Sequence, residues 1–294
     1  MAEAAARGDG EERSCADLHP PTATTDLDSL RDFLGRHARL FVLTGAGVST
    51  DSGIPDYRDA DGEWKRPSRP VQFRDFMADP AMRQRYWARG FVGWQQLQRA
   101  APNDAHRALA RLERVGRVEL LVTQNVDRLH QAAGSEAVVD LHGRADVVRC
   151  MTCERRTPRE NLQSELVRLN PAWVELGARA APDGDADLAG ADYEGFRVPD
   201  CAACGGTLKP DVVLFGESVP KERVERAMHA LAESDAVFVI GSSLMVYSGY
   251  RFARAATQLR KPIAALNLGR TRADALLTLK IAAACATALA ACVP

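Results

Sequence analysis

A glycine turn after a short apolar run provides the first residues whose types and spacing could do chemistry. Gly45 and Gly47 follow residues 40–43, an apolar run that is typical of a buried strand. Two glycines at this spacing let the backbone turn sharply and leave peptide N–H groups free to bind a phosphate or diphosphate. The acid, aromatic ring and cation at 56–58 add further ligand-binding groups. An ordinary tight turn fits the two glycines as well, and Thr50 stands where the usual dinucleotide fingerprint has its third glycine.

Four of the seven cysteines form two Cys-x-x-Cys pairs, Cys150 with Cys153 and Cys201 with Cys204. Each pair can wrap a turn around one tetrahedral ion, and four thiolates suit Zn²⁺. Redox-active or buried free thiols are the alternative, but two glycines directly after the second pair favour a zinc knuckle. Four thiolates leave no open position on the metal, so we expect one structural zinc.

The elements that must position these residues alternate between strand and helix. Apolar runs predict strands at 40–43, 118–123, 137–139, 212–215, 236–240 and 263–268. Helical periodicity predicts helices at 28–36, 73–100 with a break near Pro80, 105–115, 159–169, 221–233 and 250–259. The expected fold class is therefore α/β, with a Rossmann-like parallel sheet covered by helices on both faces.

The predicted domain organisation places a small zinc-binding module, residues 145–211, inside a Rossmann-like domain of residues 26–144 and 212–294. The composition of 177–195 within the module is typical of a disordered segment, and residues 1–25 are expected to form a disordered tail. Ligands of parallel sheets bind beyond the carboxyl ends of the strands. We therefore expect the site where these strands end.

Several strings of residues occur in a specific order along the chain. They are Gly45-Ala46-Gly47-Val48-Ser49, Gly53-Ile54-Pro55-Asp56-Tyr57-Arg58, Thr123-Gln124-Asn125-Val126-Asp127-Arg128-Leu129-His130, Leu141-His142-Gly143, Lys209-Pro210-Asp211-Val212-Val213-Leu214-Phe215-Gly216-Glu217, Gly241-Ser242-Ser243-Leu244 and Asn267-Leu268-Gly269. Together with the cysteine pairs they resemble the sirtuins, the NAD-dependent protein deacylases, over roughly residues 28–293. The resemblance is closest to the class II, mitochondrial-type members. The 47 residues between the inner cysteines exceed the compact module of many sirtuins.

The resemblance implies a reaction in which the amide oxygen of an acyl-lysine attacks the NAD ribose and nicotinamide leaves. His142 then acts as general base on a ribose hydroxyl, and water releases lysine and O-acyl-ADP-ribose. Asn125 and Asp127 are implied to assist catalysis. Without the resemblance, a lone histidine is more often structural, and Asn125 with Asp127 could simply cap a helix.

The resemblance also implies the binding residues for NAD and for the acylated protein. The implied NAD contacts are Gly45, Ala46, Gly47, Ser49, Asp56, Tyr57, Arg58, Thr123, Gln124, Asn125, Asp127, Gly241, Ser242, Ser243, Asn267, Leu268, Gly269 and Cys285. Residues Val213, Leu214, Phe215 and Gly216 resemble the strand that pairs with the backbone of an acyl-lysine protein substrate. An ordinary core strand is the alternative.

Tyr86 and Arg89 lie three residues apart on a predicted helix and therefore share a face. A tyrosine hydroxyl and a guanidinium together suit a carboxylate, and the spacing resembles sirtuins that remove succinyl, malonyl or glutaryl groups. We expect acyl groups that end in a carboxylate or carry bulk. A solvated arginine beside a core tyrosine is the alternative.

The bulk composition limits the other functional classes. The formal charge of −1 argues against a nucleic-acid or membrane-surface binder, and we expect neither partner. Arginine far outnumbers lysine, which is typical of a GC-rich bacterial genome, so the cytoplasm is the expected location. Protein mono-ADP-ribosyl transfer at the same site remains the main alternative activity. Hydride transfer and a zinc-ribbon binding module are further alternatives, and the oligomeric state is open.

Overall fold

The computed structural model describes residues 22–65, 70–176, 179–188 and 192–293. Residues 1–21 of the expected tail (1–25) therefore lie outside the described residues. The helices are α1 (Leu27–Arg36), α2 (Phe73–Ala78), α3 (Pro80–Arg99), α4 (Asp104–Arg114), α5 (Leu129–Ala132), α6 (Arg159–Leu169), α7 (Lys221–Glu233), α8 (Tyr247–Gln258) and α9 (Cys285–Cys292). The strands are β1 (Leu40–Thr44), β2 (Val118–Thr123), β3 (Val138–Asp140), β4 (Gly143–Cys150), β5 (Arg156–Pro158), β6 (Arg179–Ala180), β7 (Ala186–Asp187), β8 (Leu208–Val212), β9 (Ala236–Ile240), β10 (Ile263–Leu266) and β11 (Leu279–Ile281).

A six-stranded parallel sheet organises the larger part of the molecule. Its strand order is β11-β10-β9-β1-β2-β3, so the direction of winding reverses between β1 and β9. This is the order of doubly wound dinucleotide-binding sheets, whose ligands bind at the point of reversal. The expected fold class is confirmed.

The side chains of β1 show why the sheet must be covered on both faces. Leu40 and Val42 belong to one core cluster, built with α1, α4 and α9. Phe41 and Leu43 alternate to the other face and pack with α7 and α8. All five residues of β1 are buried, as a continuous apolar run in a parallel sheet requires.

A smaller lobe forms around the cysteine-bearing part of the chain. Strands β5, β4 and β8 make a three-stranded antiparallel sheet, and helix α6 packs on β4. Helix α3 joins this lobe, because Trp87 and Phe91 share a core with Leu166 and Phe196. The lobe is thus built from two separate chain segments, one that connects β1 to β2 and one that connects β3 to β9. The proposed domain boundaries fall at its entry and exit strands and stay a prediction.

Several expected bounds need correction: the strand expected at 263–268 ends at Leu266, and the helix expected at 250–259 begins at Tyr247. The strand expected at 212–215 is β8, which instead ends at Val212. The chain beyond it turns because the backbone N–H of Leu214 donates to the Glu217 carboxylate at 2.9 Å and Glu217 N–H donates to Leu214 O at 3.0 Å. Within 177–195, the described residues include the short antiparallel pair β6–β7. Residues 177–178 and 189–191 lie outside the description.

Candidate functional site

Two glycine turns meet at the reversal point of the sheet. The N–H of Gly47 donates to Gly241 O at 2.9 Å, and Gly45 N–H donates to Ile240 O at 3.1 Å. Gly241 has φ +59°, and a Cβ there would stand 2.3 Å from the backbone nitrogen of Val48. A Cβ on Gly47 would stand 2.9 Å from Gly241 O. Side chains are therefore excluded at Gly47 and Gly241, which leaves backbone groups at these positions to face a ligand.

A cleft of about 1740 Å³ opens over these turns. Most of the sequence-predicted site residues line it: Gly45, Ala46, Gly47, Asp56, Tyr57, Arg58, Tyr86, Arg89, Gln124, Asn125, His142, Val213, Leu214, Phe215, Gly216, Gly241, Ser242, Ser243, Asn267, Leu268, Gly269 and Cys285. The structure therefore brings together residues that are up to 240 positions apart in sequence (45 to 285). The glycine cradle and the size of the cleft fit a dinucleotide.

Three predicted NAD contacts, Ser49, Thr123 and Asp127, lie behind the cleft wall. Ser49 Oγ donates to Asp127 Oδ2 at 2.7 Å, and Asn125 Nδ2 donates to Ser49 Oγ at 3.1 Å. Asn125 Nδ2 also donates to Gly45 O at 3.2 Å. Burial raises the pKa of the Asp127 carboxyl, while donors that include the Leu129 N–H oppose the rise. The network ties the segment after β2 to the glycine turn.

Two buried histidines extend this network below the glycine turn. His130 Nε2 lies 3.0 Å from Thr44 Oγ1, and the ring centroids of His130 and His106 are 4.8 Å apart. Burial lowers the pKa of His106 to about 4 and that of His130 well below its usual value. Both rings are therefore neutral at physiological pH.

His142 directly precedes β4 and lines the cleft. Its Nδ1 lies 2.9 Å from the backbone oxygen of Gln124, and its Nε2 lies 2.7 Å from Ser248 Oγ. A carbonyl oxygen can only accept, so Nδ1 carries the proton of the neutral ring and Nε2 keeps the lone pair. Burial lowers the pKa of His142 to about 4, with smaller contributions from the positive charges of Arg223 and Arg251. The ring is therefore a neutral acceptor at physiological pH.

The loop after the glycine turn forms one side of the cleft. The Arg58 guanidinium lies 4.1 Å from the centre of the Trp64 ring and donates to Gly62 O at 2.7 Å. Trp64 meets Tyr57 and Phe215 edge-on, with ring centroids 5.8 Å away in both cases. An aromatic cluster thus joins this loop to the segment that follows β8.

A buried ion pair supports residues 213–216, the segment after β8. Lys209 Nζ lies 3.0 Å from Glu217 Oε2, and Lys209 is only 3% exposed. The N–H of Val213 donates to His142 O at 2.7 Å, and Phe73 N–H donates to Phe215 O at 2.8 Å. The backbone at 213–216 is held next to His142.

The far end of the cleft is formed by Tyr86, Arg89 and part of the cysteine-bearing lobe. Arg89 Nε donates to Asp185 Oδ1 at 2.9 Å and to Ala186 O at 3.1 Å, and its Nη2 pairs with Asp185 Oδ2. The backbone of Gly184 and Asp185 packs directly on Gly93 of α3, where a Cβ would stand 2.3 Å from Gly184 O. The guanidinium predicted to bind an acyl carboxylate already has a protein carboxylate beside it.

The four cysteines meet at one point, with all four Sγ atoms within 4.8 Å of one another. Cys150 Sγ lies 3.5 Å from Cys204 Sγ, and Cys153 Sγ lies 3.8 Å from Cys201 Sγ. Four thiolates around tetrahedral Zn²⁺ are spaced by about 3.8 Å, so the donor set fits one zinc ion. N–H groups of Cys153 and Thr152 help lower the pKa of the Cys150 thiol to about 6. Four protein ligands make the site structural.

The comparisons with known proteins agree with this geometry. The family model described as the Sir2 family matches residues 45–248, well over half of the chain. This chain belongs to the Sir2 family. The resemblance read from the sequence is confirmed.

Sirtuin relatives match almost the whole chain. The NAD-dependent protein deacetylase of Xanthomonas campestris pv. campestris (strain 8004) is 64% identical over 262 residues, 89% of each chain. The NAD-dependent protein deacylase Sirt4 of Drosophila melanogaster is 48% identical over 269 residues, 91% of this chain and 86% of that one. A crystal structure of a Sir2 homolog–NAD complex superposes with a TM-score of 0.70 at 29% identity, covering 94% of this chain and 95% of the other.

Sequence reasoning missed several residues of this sirtuin cleft. Ser248, which bonds His142, follows the Gly241-Ser242-Ser243-Leu244 string by only a few residues, but a serine at a helix start gives no catalytic signal. The cleft-lining segment that contains Pro182, Gly184 and Asp185 belongs to the stretch expected to be disordered. Trp64 is a further residue of the cleft that the sequence alone did not indicate.

Proposed function

We propose that this sirtuin is an NAD-dependent protein-lysine deacylase in which His142 is the general base. One observation carries the proposal: His142 lines the cleft between the glycine turns and residues 213–216, and its ring proton lies on Nδ1, so that Nε2 is the proton-accepting nitrogen. Relatives at 64% identity carry the name NAD-dependent protein deacetylase, and a Sir2–p53 peptide–NAD⁺ structure superposes with a TM-score of 0.72 at 27% identity. Acyl transfer is therefore favoured over mono-ADP-ribosyl transfer to protein.

The NAD-binding residues are proposed to be those that the sirtuin resemblance implies and that line the cleft, with Ser49, Thr123 and Asp127 acting from behind the wall. When bound, NAD supplies the ribose carbon that nicotinamide leaves and the hydroxyl that takes over the acyl group. Gly45, Gly47 and Gly241 offer a backbone surface without side chains, which suits a diphosphate. Cys285 is buried in the same wall, and burial raises the pKa of its thiol to about 12, which fits a packing role.

His142 would take the proton of a ribose hydroxyl at Nε2. Gln124 holds the Nδ1 proton through its backbone oxygen, so the accepting nitrogen is fixed. A neutral imidazole is the form that can accept a proton, and the lowered pKa keeps the ring in that form. Asn125 is proposed to support the reaction by anchoring the segment after β2 to Gly45.

The acylated protein would bind along residues 213–216. These residues lie outside the regular strands, yet they are held beside His142 by backbone bonds at Val213 and Phe215. Backbone pairing with an extended peptide gives affinity with little sequence preference. The bacterial relatives and the reduced cysteines are in keeping with the cytoplasm, which we propose as the location.

Tyr86, Arg89 and the segment at 182–185 are proposed to receive the acyl group. Arg89 Nε and Nη2 already pair with Asp185, so an acyl carboxylate would compete with Asp185 for the guanidinium. We therefore keep bulky and carboxylate-bearing acyl groups as the proposed substrates, with Asp185 as the competitor.

Mass spectrometry of the purified protein with NAD and a panel of acyl-lysine peptides tests the proposal. The panel contains acetyl, succinyl, glutaryl, lipoyl and long-chain peptides. We expect loss of acyl groups matched by nicotinamide and O-acyl-ADP-ribose. Cleavage of NAD with ADP-ribose found on protein and no acyl loss would contradict it.

A further inference from the structure

The imidazole of His142 is held by hydrogen bonds at both of its nitrogens. Gln124 O accepts from Nδ1 at 2.9 Å, and Ser248 Oγ lies 2.7 Å from Nε2. Because Nδ1 carries the ring proton, Ser248 must donate its hydroxyl proton to the lone pair of Nε2. Ser248 thus bonds the nitrogen that is proposed to accept the proton during catalysis.

The packing of α8 against the segment after β2 fixes the position of Ser248. It lies in the first turn of α8, is 9% exposed, and lines the same cleft as His142. The neighbouring Gly249 lets α8 approach closely, since a Cβ there would stand 2.6 Å from Gln124 Oε1. The Gln124 side chain in turn donates to Ser242 Oγ at 2.8 Å and to Thr44 O at 3.2 Å.

We propose that Ser248 is a positioning residue for the general base, whose hydroxyl holds the imidazole of His142 in its catalytic orientation. In the resting ring the hydroxyl donates to Nε2. A bound ribose hydroxyl replaces the serine proton at the single lone pair of Nε2, and once Nε2 has taken the ribose proton, the serine oxygen can turn and accept from the new N–H. A hydroxyl can serve both states of the ring because it is a donor and an acceptor, whereas a methyl group can serve neither.

The inference rests on the proposed function, and two partial reactions separate the roles of the two residues. Exchange of labelled nicotinamide into NAD, in the presence of acyl peptide, needs only the departure and return of nicotinamide. Release of deacylated lysine also needs the base. Loss of a side chain that acts through His142 should therefore slow deacylation and leave exchange intact.

The experiment compares Ser248→Ala and Ser248→Thr with the wild-type enzyme. We expect Ser248→Ala to lose about fivefold in the deacylation rate, the equivalent of one hydrogen bond, with nicotinamide exchange unchanged. Ser248→Thr keeps the hydroxyl and should therefore retain most of the wild-type deacylation rate. Ser234→Ala is the matched control, because Ser234 is also buried but bonds Leu231 O outside the cleft.

A spectroscopic readout needs neither NAD nor peptide. In long-range ¹H–¹⁵N spectra of the free protein, Ser248→Ala should move the Nε2 resonance of His142 toward that of a nitrogen without a hydrogen bond, and Ser248→Thr should move it back. An unmoved Nε2 resonance, wild-type deacylation in Ser248→Ala, or equal losses in exchange and deacylation would each overturn the proposal. If the wild-type protein performs neither reaction, the proposed function fails, while the Nε2 resonance still tests the serine–histidine contact.

Discussion

The two ends of the cleft are built in different ways. At the end proposed to bind the nucleotide (the nucleotide end), backbone groups form the wall. The N–H of Gly47 donates to Gly241 O just beyond β1 and β9, and no Cβ fits between the two glycines. At the end proposed to receive the acyl group (the acyl end), two side chains 96 residues apart in sequence, Arg89 and Asp185, form part of the wall through an ion pair. A site made of backbone tolerates little change, whereas a site made of side chains can change its preference through one substitution.

Removal of zinc should have the largest effect, and it should act on the lobe at the acyl end. The four thiolates join Cys150, at the end of β4, to the turn that leads into β8, so they hold the lobe that carries Asp185. Structural zinc contributes on the order of 10 kcal/mol in small modules. We expect a chelator to lower the melting temperature strongly and to abolish deacylation.

The check is calorimetry with a zinc assay, and readdition of zinc should restore both properties. A protein that contains no zinc, or one that melts unchanged after its zinc is removed, would contradict a structural role for the metal.

Gly241→Ala should break the nucleotide end. An alanine at φ +59° is strained, and its Cβ would stand 2.3 Å from Val48 N. We expect a loss of about 3 kcal/mol in the free energy of unfolding and weaker NAD binding, measured by urea unfolding and calorimetry. Gly35→Ala in α1 is the control, since a Cβ there meets nothing within 4 Å. Unchanged NAD affinity in Gly241→Ala would argue against a backbone-built site.

The histidine pair behind the nucleotide end should make stability depend on pH. Burial lowers the pKa of His106 to about 4, whereas an unfolded histidine has a pKa of about 6.5. The unfolded chain therefore binds more protons below pH 6.5, so stability is complete above that pH and falls as the pH drops toward 4. At pH 5 the cost is about 2 kcal/mol for His106 alone.

Urea unfolding at pH 7.5 and pH 5 measures this loss. His106→Asn should reduce the difference between the two pH values, while His229→Asn, at an exposed position on α7, should not. A loss that is equal in wild-type protein and in His106→Asn would refute the assignment.

Asp185→Asn should have the smallest effect, and it sharpens the account of the acyl end. Removal of the negative charge frees the Arg89 guanidinium for an acyl carboxylate. We expect the ratio of glutaryl to acetyl turnover to rise about fivefold, and Arg89→Met to lower it. The ratio of kcat/KM values for matched peptides is the measurement. If neither variant changes the ratio, the ion pair does not face the acyl group.

The difference between the backbone-built nucleotide end and the side-chain-built acyl end also explains how much of the structure the sequence could predict. Helices at 159–169 and 221–233 have the bounds expected from their periodicity, and the strand ends place the glycine turns in one site. Helix α9 was missed because its alanine-rich sequence has no apolar stripe, and β11 because its three residues include Lys280 and so give no apolar run.

At the acyl end, the sequence pointed to Tyr86 and Arg89 but could not predict the pairing of Arg89 with Asp185, for a physical reason. This ion pair depends on how the 182–185 segment packs on Gly93 of α3, and no local pattern encodes that packing. The end of β8 at Val212 depends in the same way on a carboxylate, Glu217, that caps the following turn.

One measurement tests the central claim most directly: nicotinamide exchange and deacylation of the same acyl peptide by wild-type protein and by His142→Ala. If His142 is the base of an NAD-dependent deacylase, the wild-type protein performs both reactions, and the variant keeps exchange but loses deacylation by about a hundredfold or more. Deacylation at the wild-type rate in His142→Ala would contradict the account.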